Sequence, residues 1–136
     1  MRALGALLLA GTAMAQAPAG NLKQVMRSVL LPNSNIIFEV QSKIPKNDLE
    51  WQTVAKAAIA IQGTPNLILL PGRLRSNGQP VPVQAADYTQ FAQALGPAAG
   101  KCLKAAQAKS LDAIGNCTDL LSDACDNCHK VYRDRP

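Results

Sequence analysis

An all-α protein, folded as an antiparallel four-helix bundle, is what this sequence predicts, and three observations carry the prediction. Aromatic residues make up 4% of the 136-residue chain, too few for the pleated faces of a sandwich or barrel, which aromatic and β-branched side chains fill. Runs of alanine, leucine, glutamine and lysine suit helices. Apolar residues return at steps of three and four in four separate segments, the spacing of a helix with one buried face. The length is that of one domain, and the 48% hydrophobic content is too high for a disordered tail. A single histidine rules out any site built on two imidazoles of one chain.

Residues 1–15 read as an export signal. Arg2 supplies a short positive region, Ala3 to Ala10 with Leu7, Leu8 and Leu9 an apolar one, and Ala13-Met14-Ala15 a small-x-small cleavage site, so the mature domain is expected to span residues 16–136. The apolar stretch falls short of the roughly 18 to 20 residues that cross a bilayer, and no later segment is expected to span one. Arg2 is the only charge removed, which lowers the formal net charge from +5 to +4. In the oxidising compartment that receives exported chains, cysteines pair or carry a covalent cofactor.

The first helix is expected over Asn21 to Leu31, with Leu22, Val25, Met26 and Val29 on one stripe. Pro32 interrupts the pattern, which resumes over residues 36–41 before Pro45, so the segment reads as one kinked helix or two collinear pieces, with Ser34 available to cap the second. Asn47 caps the next helix, with Glu50 three residues on as capping-box partner; its stripe of Trp51, Val54, Ala55, Ala58 and Ile59 is expected to end at Gly63-Thr64-Pro65. Residues 63–83 hold Pro65, Pro71, Gly72, Gly78, Pro80 and Pro82, which marks one long crossover. Within it Leu67-Ile68-Leu69-Leu70 is too apolar for open solvent. The third helix is expected from Gln84 to Ala108, kinked at Gly96-Pro97. Ser110 caps the fourth, whose stripe runs Leu111, Ile114, Cys117, Leu121, Ala124, Cys125, Cys128 and Tyr132. Bundles of this kind hold cofactors between their helices.

Near the end of the fourth helix stands Cys125-Asp126-Asn127-Cys128-His129. Cys128 and His129 lie three and four residues beyond Cys125, so all three side chains fall on one face of adjacent turns. Two thiols can then be tethered to the vinyl groups of a haem while the imidazole rises under the iron, and C-x-x-C-H is the attachment signature of haem c. Three other readings compete. A thioredoxin-like pair needs its thiols at a helix N-terminus and a βαβ setting. A tetrahedral zinc site lacks a second C-x-x-C or H-x-x-x-H arm. A disulfide between Cys125 and Cys128 is poorly shaped within one helix.

Seven residues before the end of the sequence, after an export signal and four helices, the run from Cys125 through Lys130, Val131, Tyr132 and Arg133 resembles the class II c-type cytochromes, the cytochrome c prime and cytochrome c556 group. Class I cytochromes c carry the motif near their N-terminus. The likeness covers the mature chain in length and helix order, with its sharp residues confined to 125–133. It implies one covalent haem c held by Cys125 and Cys128, His129 as proximal iron ligand, and Arg133 beside it as a cation that tunes the iron. Arg133 reads equally as a cation at a helix C-terminus.

The distal side stays open at this point. With Met1 and Met14 in the signal, Met26 is the remaining methionine, on an apolar stripe where methionine is commonly core filler. The c556 members resemble this chain in placing a ligating methionine in the first helix, in a setting close to Val25-Met26-Arg27. A His129/Met26 iron shuttles electrons with little reorganisation; a five-coordinate iron with an open apolar pocket takes a small gas.

Cys102 and Cys117 each stand seven and a half positions from the midpoint of the Lys109-Ser110 turn, hence at one height on neighbouring antiparallel helices, and are expected to form a disulfide. Pro32 and Gly96-Pro97 depart from the family's smooth helices. Arg73 and Arg75 read as solvated loop charges, with pairing to haem propionates as the alternative. The expected function is therefore an exported, periplasmic one-electron carrier and not an enzyme, since neither paired carboxylates nor a phosphate loop accompany the motif. The alternatives are a gas-binding haem protein and a haem subunit of a membrane oxidoreductase. Redox proteins are the expected partners, with a homodimer left open. Scattered basic charge without an aromatic groove argues against nucleic acid.

Overall fold

Hydrogen bonds at the two ends of the molecule set the directions of its helices. The structure, a computed structural model, describes residues 17–134; the expected export signal lies outside them. In chain order the elements are α1 (Leu22–Val25), a π turn (Met26–Leu30), α2 (Leu31–Phe38), a 3₁₀ turn (Glu39–Gln41), α3 (Asp48–Ile68), α4 (Ala86–Gln107) and α5 (Leu111–Tyr132). The first four run without a break and form one rod. At one end of the bundle Gln41 donates to the Leu111 carbonyl at 2.9 Å and Lys109 to Asp48 at 2.6 Å. At the other, the Tyr88 hydroxyl donates to the Ile68 carbonyl at 3.1 Å and the Tyr132 hydroxyl to Asp87 at 2.6 Å. The rod, α3, α4 and α5 therefore run up, down, up and down, as an antiparallel bundle requires. No described helix is long and apolar enough to cross a membrane.

Pro32 does not break the rod. It sits in the first turn of α2 directly after the π turn, where the wider backbone gives its ring room that a regular helix would deny. Asn33 donates its side-chain amide to the Val29 carbonyl at 2.7 Å, meeting an acceptor in the disturbed stretch. Ser34 is buried inside α2 and donates to Leu31 at 3.1 Å; it is no cap, because the rod has no gap there to cap.

Asn47 caps α3 by accepting from the Glu50 amide at 3.0 Å, while the Glu50 carboxylate reaches past Asn47 to the Lys46 amide at 2.7 Å. The helix then runs five residues beyond the expected stop at Gly63. Pro65 removes one amide but Thr64 and Ile68 are buried at 0% and 1% exposure, and that apolar anchorage outweighs the local break. The Gly96-Pro97 pair is likewise carried inside an unbroken α4. Alanines 57, 58, 92, 98, 99, 105 and 106 are buried along α3 and α4, and such small side chains permit close helix packing. That is how a core with few rings is filled.

The turn between α4 and α5 is a Schellman arrangement. Lys109 donates its amide to Ala106 and Ser110 to Ala105, both at 3.1 Å, with Lys109 at φ +52°. Glycine is the residue that adopts this conformation without a Cβ penalty. Lys109→Gly is expected to stabilise the protein by about 0.5–1 kcal/mol, less the small contribution of the exposed pair with Asp48. Urea unfolding of the two proteins side by side checks this.

Candidate functional site

The motif occupies the last turns of α5, at the end of the bundle where the rod and α4 begin. Cys125 and Cys128 are both half-buried and unpaired. Cys125 packs against the core, as does Met26, which opens the π turn. Met26 lies about one turn inside the start of its rod and His129 about one turn inside the end of α5, so antiparallel packing brings both to the same end of the bundle. Arg133 follows α5 as its C-cap, with its amide donating to the His129 carbonyl at 3.2 Å and its side chain exposed.

Burial, then the Asp126 charge, pushes the Cys125 thiol up. Burial, then Cys125 and Asp87, pushes Cys128 up to about 11. Neither is a reactive thiolate at neutral pH, which is the reverse of what a thioredoxin-like pair needs. Partial desolvation, then the Arg133 charge, lowers the basicity of His129, with Asp126 opposing. Its imidazole stays neutral further below its ordinary range, with a lone pair free to ligate. Among the described residues no three His, Cys, Asp or Glu side chains converge as a bare-metal site. Cys102 and Cys117 are instead joined to each other, Cα atoms 5.2 Å apart, towards the opposite end of the bundle.

The rod meets α5 mainly through α2 and the 3₁₀ turn, whereas α1 and the π turn lean on α3. Gln41 bonds to Leu111 and its amide lies over Gly115, 3.2 Å from where a Cβ would stand. On α5 the column that begins with Leu111 and Gly115 continues at helical spacing through Thr118, Ser122, Cys125 and His129. Thr118 is half-buried, and Ser122 and His129 are exposed. The rod is thus held to α5 more closely at its Gln41 end than at the end nearer the motif. Leu31 and Phe38 are exposed at 53% and 40%, less than a quarter turn round the rod from Gln41.

The α4 side of the motif carries an aromatic cluster that sequence reasoning did not assemble. Tyr88 packs edge-on against Tyr132, ring centroids 5.1 Å apart, and Phe91 stands 6.4 Å from Tyr132. The Tyr132 hydroxyl holds the Asp87 carboxyl below its ordinary range, and Asp87 in turn raises Tyr132. Tyr88 and Phe91 stand three residues apart in the sequence, a helical spacing, whereas the Asp87 bond, formed across the bundle, has no local signal.

Tyr88 is 1% exposed, and burial, then Cys128, raises its hydroxyl to about 12. A raised acid favours the folded state while it stays protonated, so this contribution is whole below pH 10 and is lost as pH climbs from 10 to 12. Tyr88→Phe is expected to cost about 1–2 kcal/mol at pH 8, because the buried Ile68 carbonyl loses its donor, and to flatten the loss of stability between pH 10 and 12. Urea midpoints at pH 8 and across the alkaline range test both effects.

The loop arginines are not solvated charges. Arg73 is 3% exposed and donates to the carbonyls of Leu67, Ala19 and Gly20. Arg75 pairs with Asp134 and donates to the Tyr132 carbonyl, and its buried Nε has no partner among the described residues. Two open hollows, of about 400 and 140 Å³, lie far from the motif, around Lys104 and Ala105 and around Trp51 and Gln107. No known protein family, curated protein or solved structure matches the chain.

Proposed function

We propose that the protein is an exported single-haem cytochrome of the c type, similar to the cytochrome c prime and c556 group, that carries one electron at a time between redox proteins. What supports this is the C-x-x-C-H run in the last turns of α5, where Cys125 and Cys128 are half-buried and in no disulfide and His129 follows on the same face. Cys125 and Cys128 would hold haem c through thioethers, each thiol adding its S–H across a vinyl group. When bound, the haem iron supplies the one-electron change between ferric and ferrous states.

The chain's own residues have distinct tasks. His129 offers a neutral imidazole nitrogen as proximal ligand, since desolvation and Arg133 both oppose its protonation. Arg133 adds positive charge beside that ligand, which favours the reduced state. Tyr88, Phe91 and Tyr132 pack together on the α4 side of the motif. Met26 is the candidate distal ligand from the rod.

The packing of Met26 against the core, on a turn that leans on α3, favours a second reading. There the iron is five-coordinate and binds a small gas on its distal side. An absorption spectrum of the matured protein separates the two. The electron carrier is expected to show a low-spin ferrous spectrum that Met26→Ala abolishes; a high-spin spectrum altered by carbon monoxide marks the open site. Release of haem from the denatured protein into acidified organic solvent would sink covalent attachment and both readings with it.

A further inference from the structure

Three consecutive residues of the crossover, Arg73, Leu74 and Arg75, touch both the start of the rod and the end of α5. Arg73 is buried without a carboxylate among the described residues. Its Nε donates to the Leu67 carbonyl at 2.9 Å, and its Nη1 to Ala19 at 2.5 Å and Gly20 at 2.7 Å. Leu67 lies in the last turn of α3, where carbonyls lack helical partners and a cation is favoured. Ala19 and Gly20 directly precede Asn21, the cap of α1, and Gly20 turns the chain into that cap at φ +68°.

Leu74 extends the same hold. Its carbonyl accepts from the Leu22 amide at 2.8 Å, one of the first-turn donors that a helix cannot satisfy internally. Arg75 then reaches the other way. It donates to the carbonyl of Tyr132, the last residue of α5, at 3.3 Å and pairs with Asp134, whose second oxygen accepts from Ser76 at 2.6 Å. The triplet is stiffened by a small hairpin, in which Val81 donates to Arg73 at 2.9 Å and Arg75 to Gln79 at 2.7 Å around a turn closed by Gly78 at φ +81°. From Arg73 to Arg75 the chain spans at most about 7 Å, so rod and α5 are tied through a short, braced segment.

We propose that Arg73-Leu74-Arg75 is a spacer bar, with Arg73 and Arg75 as positioning residues that set the separation between the turn bearing Met26 and the turn bearing Cys125 to His129. The bar thereby decides whether the Met26 sulfur reaches the haem iron. This rests on the haem reading above. Neither arginine touches Met26 directly; Arg73 acts on it through the carbonyls of Ala19 and Gly20, just before the cap of α1.

The test uses the matured protein and two readouts, hydrogen exchange and the absorption spectrum. In Arg73→Gln, amide exchange in segment 19–26 is expected to rise at least tenfold while segment 109–118, held by the disulfide, is unchanged. The low-spin ferrous spectrum should give way to a high-spin one although the haem stays covalently attached. Arg73→Lys, which keeps the charge but cannot fork between three carbonyls, should restore the spectrum only in part. Should Arg73→Gln fail to fold, Asp134→Asn at the exposed end tests the other arm, with faster exchange in segment 129–134 and a partial spectral change. Faster exchange with an unmoved spectrum makes the bar a structural tie only and overturns the proposal, as does a high-spin parent protein. Haem lost to acidified solvent from the parent defeats the haem reading instead, and the exchange data then stand apart from it.

Discussion

Alanine in place of both Cys125 and Cys128 is expected to leave a folded four-helix protein that carries no covalent haem. Both thiols are half-buried and neither is in a disulfide, so truncating them removes little packing and no cross-link. A cost of about 1 kcal/mol or less is expected for the apoprotein. The functional effect is complete, because both tethers are gone. Mass spectrometry of the denatured chain should show the parent heavier by one haem and the double variant at the mass of polypeptide alone. Either single variant keeps one thioether and should retain haem at reduced yield. A double variant that still holds haem through denaturation would place the attachment elsewhere in the chain.

Removing the other pair of cysteines should act on stability and leave the haem in place. Cys102 and Cys117 are 0% and 1% exposed and close a loop with a sequence separation of 15. In the chain-entropy account such a loop is worth about 3 kcal/mol, and replacing both residues by alanine adds the loss of two buried sulfur atoms. A Tm lower by roughly 10 °C is expected for a domain of this size, with the haem spectrum unchanged, since the bond lies towards the end of the bundle away from the motif. A double variant melting within about 2 °C of the parent would show that the cross-link does not constrain the unfolded chain.

The bundle was legible because its signals are local. The Asn47 and Ser110 caps, the apolar stripes and the C-x-x-C-H spacing are properties of neighbouring residues, and the Cys102–Cys117 bond followed from symmetry about a turn. Expectations failed where tertiary packing overrode local chemistry. Pro65 read as a break, yet the burial of Thr64 and Ile68 carries α3 past it, while at Pro32, read as a kink or a join of two collinear pieces, a π turn keeps the rod continuous. Arg73 offered no signal of its burial, because its partners are backbone carbonyls, which every residue possesses. How the start of the rod is held relative to the end of α5 depends on partners distant in the sequence, the tie through Arg73 and Arg75 among them, and so carries no local signal.

Four thiols can be joined in three ways, and an oxidising compartment does not choose among them. The bundle does the sorting. Cys102 and Cys117 have Cα atoms 5.2 Å apart, whereas Cys117 and Cys125, eight residues apart along α5, are separated by about 12 Å, beyond the reach of a disulfide. Once the helices have docked, an oxidant finds its proper target at one end and cannot cross-wire it with the other. A chain that folds before it is oxidised therefore joins Cys102 to Cys117 and keeps Cys125 and Cys128 out of reach of Cys117.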